Sequence, residues 1–410
     1  MPLASLRPLK AASARLTKKR CDPANGADLG VLIPSQWSAE LIGGVPLRSI
    51  MAHARALHRI PPASNDHLAA VRVALSVAVP ALVLLAVGRA DLIIYAVFGA
   101  LTGMYGRAES HQLRLKHQVQ AAAVLLAGVS VGTFLSVSHI HSWGLVAVEA
   151  LLAGVGSLFS DKVRLKPNGP FFGILALGAC ASVPAHLPFF AAVLICAASA
   201  AFSIMVGFAG WLRYRAWERG AIRDIPAFST QLRQAAGLHA ARYVLAVGAA
   251  GACGVLTGSG HPHWAMAAAA VPLAGADMPS RLHRGIHRIV GTFLGLAIVA
   301  VVLFPGPLSP LHYFPGQTTI ILALLVIGFQ FPTELFMARH YGWAMVFFTP
   351  VILLMTQLAA PADPGVLVLE RGVETFVGAV IGIAVAVLVQ APRLISRSLL
   401  TSRRGGADLT

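Results

Sequence analysis

The sequence predicts an all-α fold, a polytopic membrane protein of about twelve transmembrane helices in two parallel six-helix repeats. Three observations predict it: too few charges to clothe a soluble surface, apolar runs from Val71 to Val389, and basic residues confined to alternate gaps between those runs. Only 12% of the 410 residues are charged and 57% are hydrophobic. Soluble domains carry roughly 25% charged residues, so lipid must cover much of this chain. The formal net charge of +16 then reads as topology. Positive loops resist translocation and favour anionic lipid, and nucleic acid is not an expected partner.

The apolar runs fall, in order, at 71–88, 91–105, 119–137, 142–160, 169–184, 187–212, 240–258, 263–277, 286–304, 316–332, 341–359 and 366–390. A helix needs ~20 residues to cross the hydrocarbon core, and most of these runs approach that length. One set of gaps is basic. It holds Arg107, Arg114 and Lys116; Lys162, Arg164 and Lys166; Arg213, Arg215, Arg219, Arg223 and Arg233; Arg281, Arg284 and Arg288; Arg339; and Arg393, Arg397, Arg403 and Arg404. The other set, at 138–142, 184–188, 258–263, 305–316 and 361–365, is rich in Pro, Gly, Ser and His. Arg89 alone departs from the pattern. The bias puts the basic gaps and both termini in the cytoplasm.

The domain organisation follows. Residues 1–66 read as a cytoplasmic tail, 67–212 as the first six-helix repeat and 213–239 as a basic cytoplasmic linker. Residues 240–392 read as the second repeat and 393–410 as a cytoplasmic tail. No apolar run follows Lys18, Lys19 and Arg20, which argues against a cleavable signal peptide. Cys21, Cys180, Cys196 and Cys253 form no C-x-x-C pair and read as small hydrophobes.

The repeat rests on polar residues in register. An offset of about 170 residues aligns Arg72 with Arg242, Ser110 with Ser280, Arg114 with Arg284 and His117 with His287. Six helices per repeat is an even number, so the two share one orientation, with an axis along the membrane normal. The second helix of each repeat is short. One carries Gly99 and Gly103, the other Pro272. Short or interrupted spans at matching positions point to a transport site or to tilted packing helices.

The segment 280–295 concentrates the chemistry. Ser280 follows Pro279 and is placed to cap a helix. Arg281, Arg284 and Arg288 fall at i, i+3 and i+7 on one face, which Gly291, Thr292 and Gly295 continue. A helix N-terminus beside three guanidinium groups attracts carboxylate or phosphate. The alternative is ordinary inside charge plus a Gly-x-x-x-Gly packing face. Gly128 and Gly132 form the corresponding pair in the first repeat.

Elsewhere, Glu149 lies mid-span and reads either as a proton-coupling group or as the partner of a buried donor. Glu370, Arg371 and Glu374 read as a local ion-pair anchor at the outer interface or as a relay, and Glu334 and Arg339 as solvated. His139, His141, His261 and His263 lack a local carboxylate or Cys, so no metal site is expected. No phosphate-binding loop, nucleophile elbow or zinc-protease motif stands out, so neither an enzyme nor a cofactor is expected.

Trp264, then Arg281 and Arg284, then His-Arg-Ile-Val-Gly-Thr-Phe-Leu-Gly at 287–295, resemble the membrane domain of the fusaric acid resistance family. That family stands with the aromatic acid exporters, and plant malate channels look like distant relatives. The first half matches in outline only, with Gln118 where the motif has Arg288 and Ala121 where it has Gly291. The large domain that long bacterial exporters carry between halves is replaced here by a short gap.

The resemblance implies a bacterial cytoplasmic membrane and efflux of small, often aromatic, organic anions. Arg281, Arg284, Arg288, Thr292 and Trp264 are then the expected substrate-binding residues. Expected partners are that anion and the bilayer, with the chain a monomer or homo-oligomer. Competing readings are a passive anion channel and a non-transport scaffold for envelope assembly.

Overall fold

A computed structural model describes residues 66–107, 109–140, 142–184, 188–214 and 230–389, without the side chains of 210–214. The expected N-terminal tail as far as residue 65, the middle of the linker and the expected C-terminal tail lie outside those residues. The described chain is helical, with no strand among the described residues. The first six helices are α1 (Asp66–Ala86), α2 (Ile93–Ala100, flanked by single 3₁₀ turns), α3 (His111–Val137), α4 (Trp143–Val163), α5 (Phe171–Ser182) and α6 (Phe189–Tyr214). Then come α7 (Thr230–Leu256), α8 (Pro262–Leu273), α9 (Met278–Leu303), the single-turn α10 (Pro310–Tyr313), α11 (Thr318–Met337), α12 (Tyr341–Ala359) and α13 (Pro364–Leu388).

Nine of these helices are long and apolar enough to cross a bilayer, which makes this a multi-pass membrane protein. The shorter α2, α5 and α8 are apolar on every side, and all of α2 and α8 is buried. Such helices belong inside a bundle. The fifth apolar helix of the second set, α12, joins them. Its apolar stretch is 78% buried, against 28–50% for the other eight long helices. Four interior helices, α2, α5, α8 and α12, are therefore sheathed by eight amphipathic or lipid-facing ones.

The packing recurs between the two sets. Helix α3 packs on α5 and α6, and α9 packs on α12 and α13. Helix α2 lies on α6 as α8 lies on α13. Across the sets, α4 packs on α7 and α11 packs on α1. The first helix of each set ends in the same turn, with Gly88 and Gly258 both at φ +72. Arg89 N–H reaches the Leu84 carbonyl, and Ser259 N–H reaches that of Gly254. This is the left-handed helix stop that glycine adopts without a Cβ penalty.

Helix ends differ from the sequence reading at the basic end. Helices α1, α3, α7 and α9 begin five to ten residues before the apolar runs at 71, 119, 240 and 286, at Asp66, His111, Thr230 and Met278. Polar turns at a membrane surface remain helical because water and headgroups satisfy their side chains.

Ion pairs gather at this end. Arg339 Nε lies 2.7 Å from Asp66 Oδ2, and His239 Nδ1 lies 2.8 Å from Asp161 Oδ2. Arg107 Nη2 lies 2.9 Å from Glu334 Oε2, and its Nη1 donates to the Glu334 carbonyl. Glu334 and Arg339 are thus paired, not solvated, and Glu334 is fully buried. Arg89, at the opposite end, pairs with Asp91 at 2.8 Å, which also holds its guanidinium pKa up.

Candidate functional site

Helix α9 starts at a capping box. Asp277 accepts from the Ser280 N–H at 2.9 Å, and Asp277 N–H donates to Ser280 Oγ at 3.1 Å. The cap is therefore Asp277, with Ser280 as its reciprocal partner. Hydrogen bonds from Ser280 hold the Asp277 carboxyl below its usual range.

The three arginines of α9 part company. Arg281 turns back, and its Nε donates to the Gly275 carbonyl at 3.0 Å. In α3 it is Arg114 that makes this bond, to the Gly106 carbonyl at 3.4 Å. Arg284 lies over the Tyr341 ring, 5.6 Å from its centroid. Only Arg288 enters the bundle. It is 0% exposed, lies 5.3 Å above the Phe171 ring and donates from Nη1 to Met345 Sδ at 3.0 Å. Its Nε and Nη2 have no hydrogen-bond partner.

Glycines allow this approach. A Cβ on Gly291 would collide with the Gly342 carbonyl and would stand 2.7 Å from Met345 Cβ. One on Gly295 would stand 2.8 Å from the Val346 carbonyl oxygen. Gly128 and Gly132 meet the carbonyls of Gly173 and Leu177 in the same way between α3 and α5. Thr292, a residue beyond Gly291, is fully buried and its Oγ1 is unpartnered.

A second arginine faces the interior from α13. Arg371 is 0% exposed, lies 5.3 Å from the Trp264 ring centroid and has no partner for Nε or Nη1. It is close enough to Arg288 for the two charges to interact, and close to Tyr341 and Glu374. The ion-pair anchor read from the sequence does not form. Glu370 turns instead to His261, with Oε2 2.5 Å from Nδ1, and Arg371 makes no salt bridge among the described residues. Consecutive helical residues point about 100° apart, so Glu370 reaches the loop while Arg371 enters the bundle. Trp264 is fully buried on α8, stacked on His261 at 4.2 Å and 8°.

Glu149 lies on α4, 0% exposed, with both carboxyl oxygens unpartnered. It borders an apolar cavity of about 250 Å³ with Ala127, Gly128, Leu152, Phe159 and Ile174. The donor that one sequence reading expected is not hydrogen-bonded to it. His139 lies in the loop after α3, and His141 lies outside the described residues. No group of three His, Cys, Asp or Glu suited to a metal occurs among the described residues.

The structure thus gathers Arg288, Arg371, Trp264, Thr292 and Phe171 in the interior and leaves Arg281 and Arg284 nearer the basic end. Sequence reasoning placed Arg371 in a local ion pair, took His263 only as one of four loop histidines, and did not single out Phe171. For Arg371 the signal was present, an ionisable residue inside an apolar run, but its acidic neighbours suggested a local pair. Phe171 carries no such signal, because only folding brings α5 to α9.

Residues 245–385 match the family model described as fusaric acid resistance protein-like. A curated relative, the "Uncharacterized membrane protein YvaC" of Bacillus subtilis (strain 168), is 26% identical over 147 residues. That match covers 36% of this chain and 22% of the relative, so it spans less than a quarter of the relative's length. No solved structure matches. The resemblance first seen at Trp264 and 281–295 holds over the stretch that carries Arg288, Arg371 and Glu374.

Proposed function

We propose that this membrane protein, with its fusaric acid resistance-like second half, is a secondary exporter of small aromatic organic anions, coupled to proton entry across a bacterial cytoplasmic membrane. One observation carries the reading. Two fully buried guanidinium groups, on α9 and α13, hold unpartnered N–H donors and each lies over an aromatic ring. A buried charge left unpaired is expensive, and inside a membrane it marks a ligand pathway. A carboxylate supplies the missing charge and accepts bidentate bonds from guanidinium. Phe171 and Trp264 supply the apolar faces an aromatic ring requires.

Arg281 and Arg284 then draw anions toward the basic end, and Thr292 adds a hydroxyl beside Arg288. The recurring helix contacts and the matched turns at Gly88 and Gly258 support two six-helix repeats in parallel, and the basic gaps support cytoplasmic termini. The four interior helices are then the walls of the pathway. Glu149, orphaned in the bundle, supports proton coupling over a passive channel.

Exchange of labelled phthalate across proteoliposomes at equal pH tests the anion site. Wild type should exchange. Arg288→Ala and Arg371→Ala should each slow exchange at least tenfold, while Arg89→Ala at the loop should not. Undiminished exchange in both interior variants would remove the site. No exchange in wild type would favour the scaffold reading.

A further inference from the structure

A chain of titratable groups leads from the loop before α8 to Glu149. At its mouth Glu370 Oε2 lies 2.5 Å from His261 Nδ1, and both side chains are partly exposed. The His261 ring is 5.8 Å from that of His263, centroid to centroid. His263 is 2% exposed and its Nδ1 has no hydrogen-bond partner. Both His263 and Glu149 abut Gly178 on α5. A Cβ there would stand 2.5 Å from His263 Cβ and 3.0 Å from Glu149 Oε2. Gly178 therefore leaves a gap through which the imidazole on α8 and the carboxyl on α4 are neighbours.

We infer that Glu370, His261 and His263 form the proton path from the outer face to Glu149. The inference rests on the exporter reading for its direction, since it takes the Pro/Gly-rich end as the outer one. A proton taken up by the His261–Glu370 pair passes to His263, which becomes imidazolium. His263 then gives a proton to a Glu149 oxygen and returns to the neutral ring. No group other than the proton changes hands, and reversal empties Glu149.

His261 and Arg371 face His263, and Glu374 and Glu370 face His261. Arg371 places a like charge beside the proton in transit at His263. Trp264, stacked on His261 and 5.4 Å from the His263 ring, keeps the two imidazoles in place. It also contacts Arg371, which joins the path to the proposed anion site.

The test follows the protonated carboxyl band of Glu149 by time-resolved infrared spectroscopy after a pH jump, on the full chain in lipid. Glu149→Gln identifies the band by its loss. His263→Ala and the size-conserving His263→Gln should each slow its response at least tenfold, and His261→Ala should slow it severalfold. His312→Ala, a histidine on α10 away from the path, should leave it unchanged. A band that follows the jump at the wild-type rate in the His263 and His261 variants, or that never titrates, would overturn the path. Phthalate exchange at equal pH, measured on the same samples, reports the exporter reading separately. Slowed proton response with no exchange in wild type would retain the path and sink the exporter. Exchange with unaltered proton response would do the reverse.

Discussion

Arg288→Met separates a binding residue from a structural one. The guanidinium is fully buried, and its visible gains are small. Stacking over Phe171 at 5.3 Å is worth about 2 kcal/mol when desolvated. The bond to Met345 Sδ at 3.0 Å goes to a weak acceptor and adds under ~1 kcal/mol. Against these stands the cost of an arginine at mid-membrane, about 2.5–3.5 kcal/mol on insertion scales. Methionine fills a similar elongated space without the charge. The balance leaves the variant about as stable as wild type, and up to ~2 kcal/mol more stable if the stacking is weaker. Thermal unfolding in detergent should give an unchanged or raised Tm, together with lost phthalate exchange. Saturating phthalate, at about 100 times Kd, should stabilise wild type by ~2.7 kcal/mol and leave the variant unmoved. A variant destabilised by more than ~2 kcal/mol would make Arg288 a residue that holds the bundle together, not one kept for binding.

Three further outcomes are expected. Arg107→Ala leaves Glu334 buried and unpaired and should cost about 3–5 kcal/mol, while adding Glu334→Gln should recover much of the loss in a double-mutant cycle followed by Tm. Gly291→Val drives a side chain into the Gly342 carbonyl and Met345, and should destabilise by about 1–3 kcal/mol in the same assay. Asp277 has a folded pKa held below its ordinary value by Ser280, so its cap is complete above the usual carboxylate range and is lost as pH falls through the depressed value. Asp277→Asn should abolish that acid-side loss in a series of Tm against pH, and an unchanged profile would contradict it.

The nine long apolar helices among the described residues were legible because an apolar run long enough to cross lipid has few other uses. The helices extend past those runs at Asp66, His111, Thr230 and Met278 because hydropathy sees side chains and not backbone hydrogen bonds. Glu334 looked solvated because its partner, Arg107, is 227 residues away and reaches it only in the fold. Arg371 looked paired because Glu370 precedes it, yet helical geometry sends neighbours in different directions. The arginine stripe at 281, 284 and 288 was visible as a periodicity. Its division into a turn-closing residue, a ring-stacked one and a buried one was not, since the Gly275 carbonyl, the Tyr341 ring and the Phe171 ring decide it. The interior place of α2, α5, α8 and α12 was partly visible in their unbroken apolarity and, for three of them, their shortness.

The most direct measurement is phthalate uptake into inside-out vesicles holding the purified protein, with an acid lumen and a neutral exterior. Proton-coupled export gives accumulation above equilibrium that collapses with the pH gradient and is lost in Arg288→Ala, Arg371→Ala and Glu149→Gln. Simple equilibration that ignores the gradient, or uptake that persists without both arginines, would contradict it.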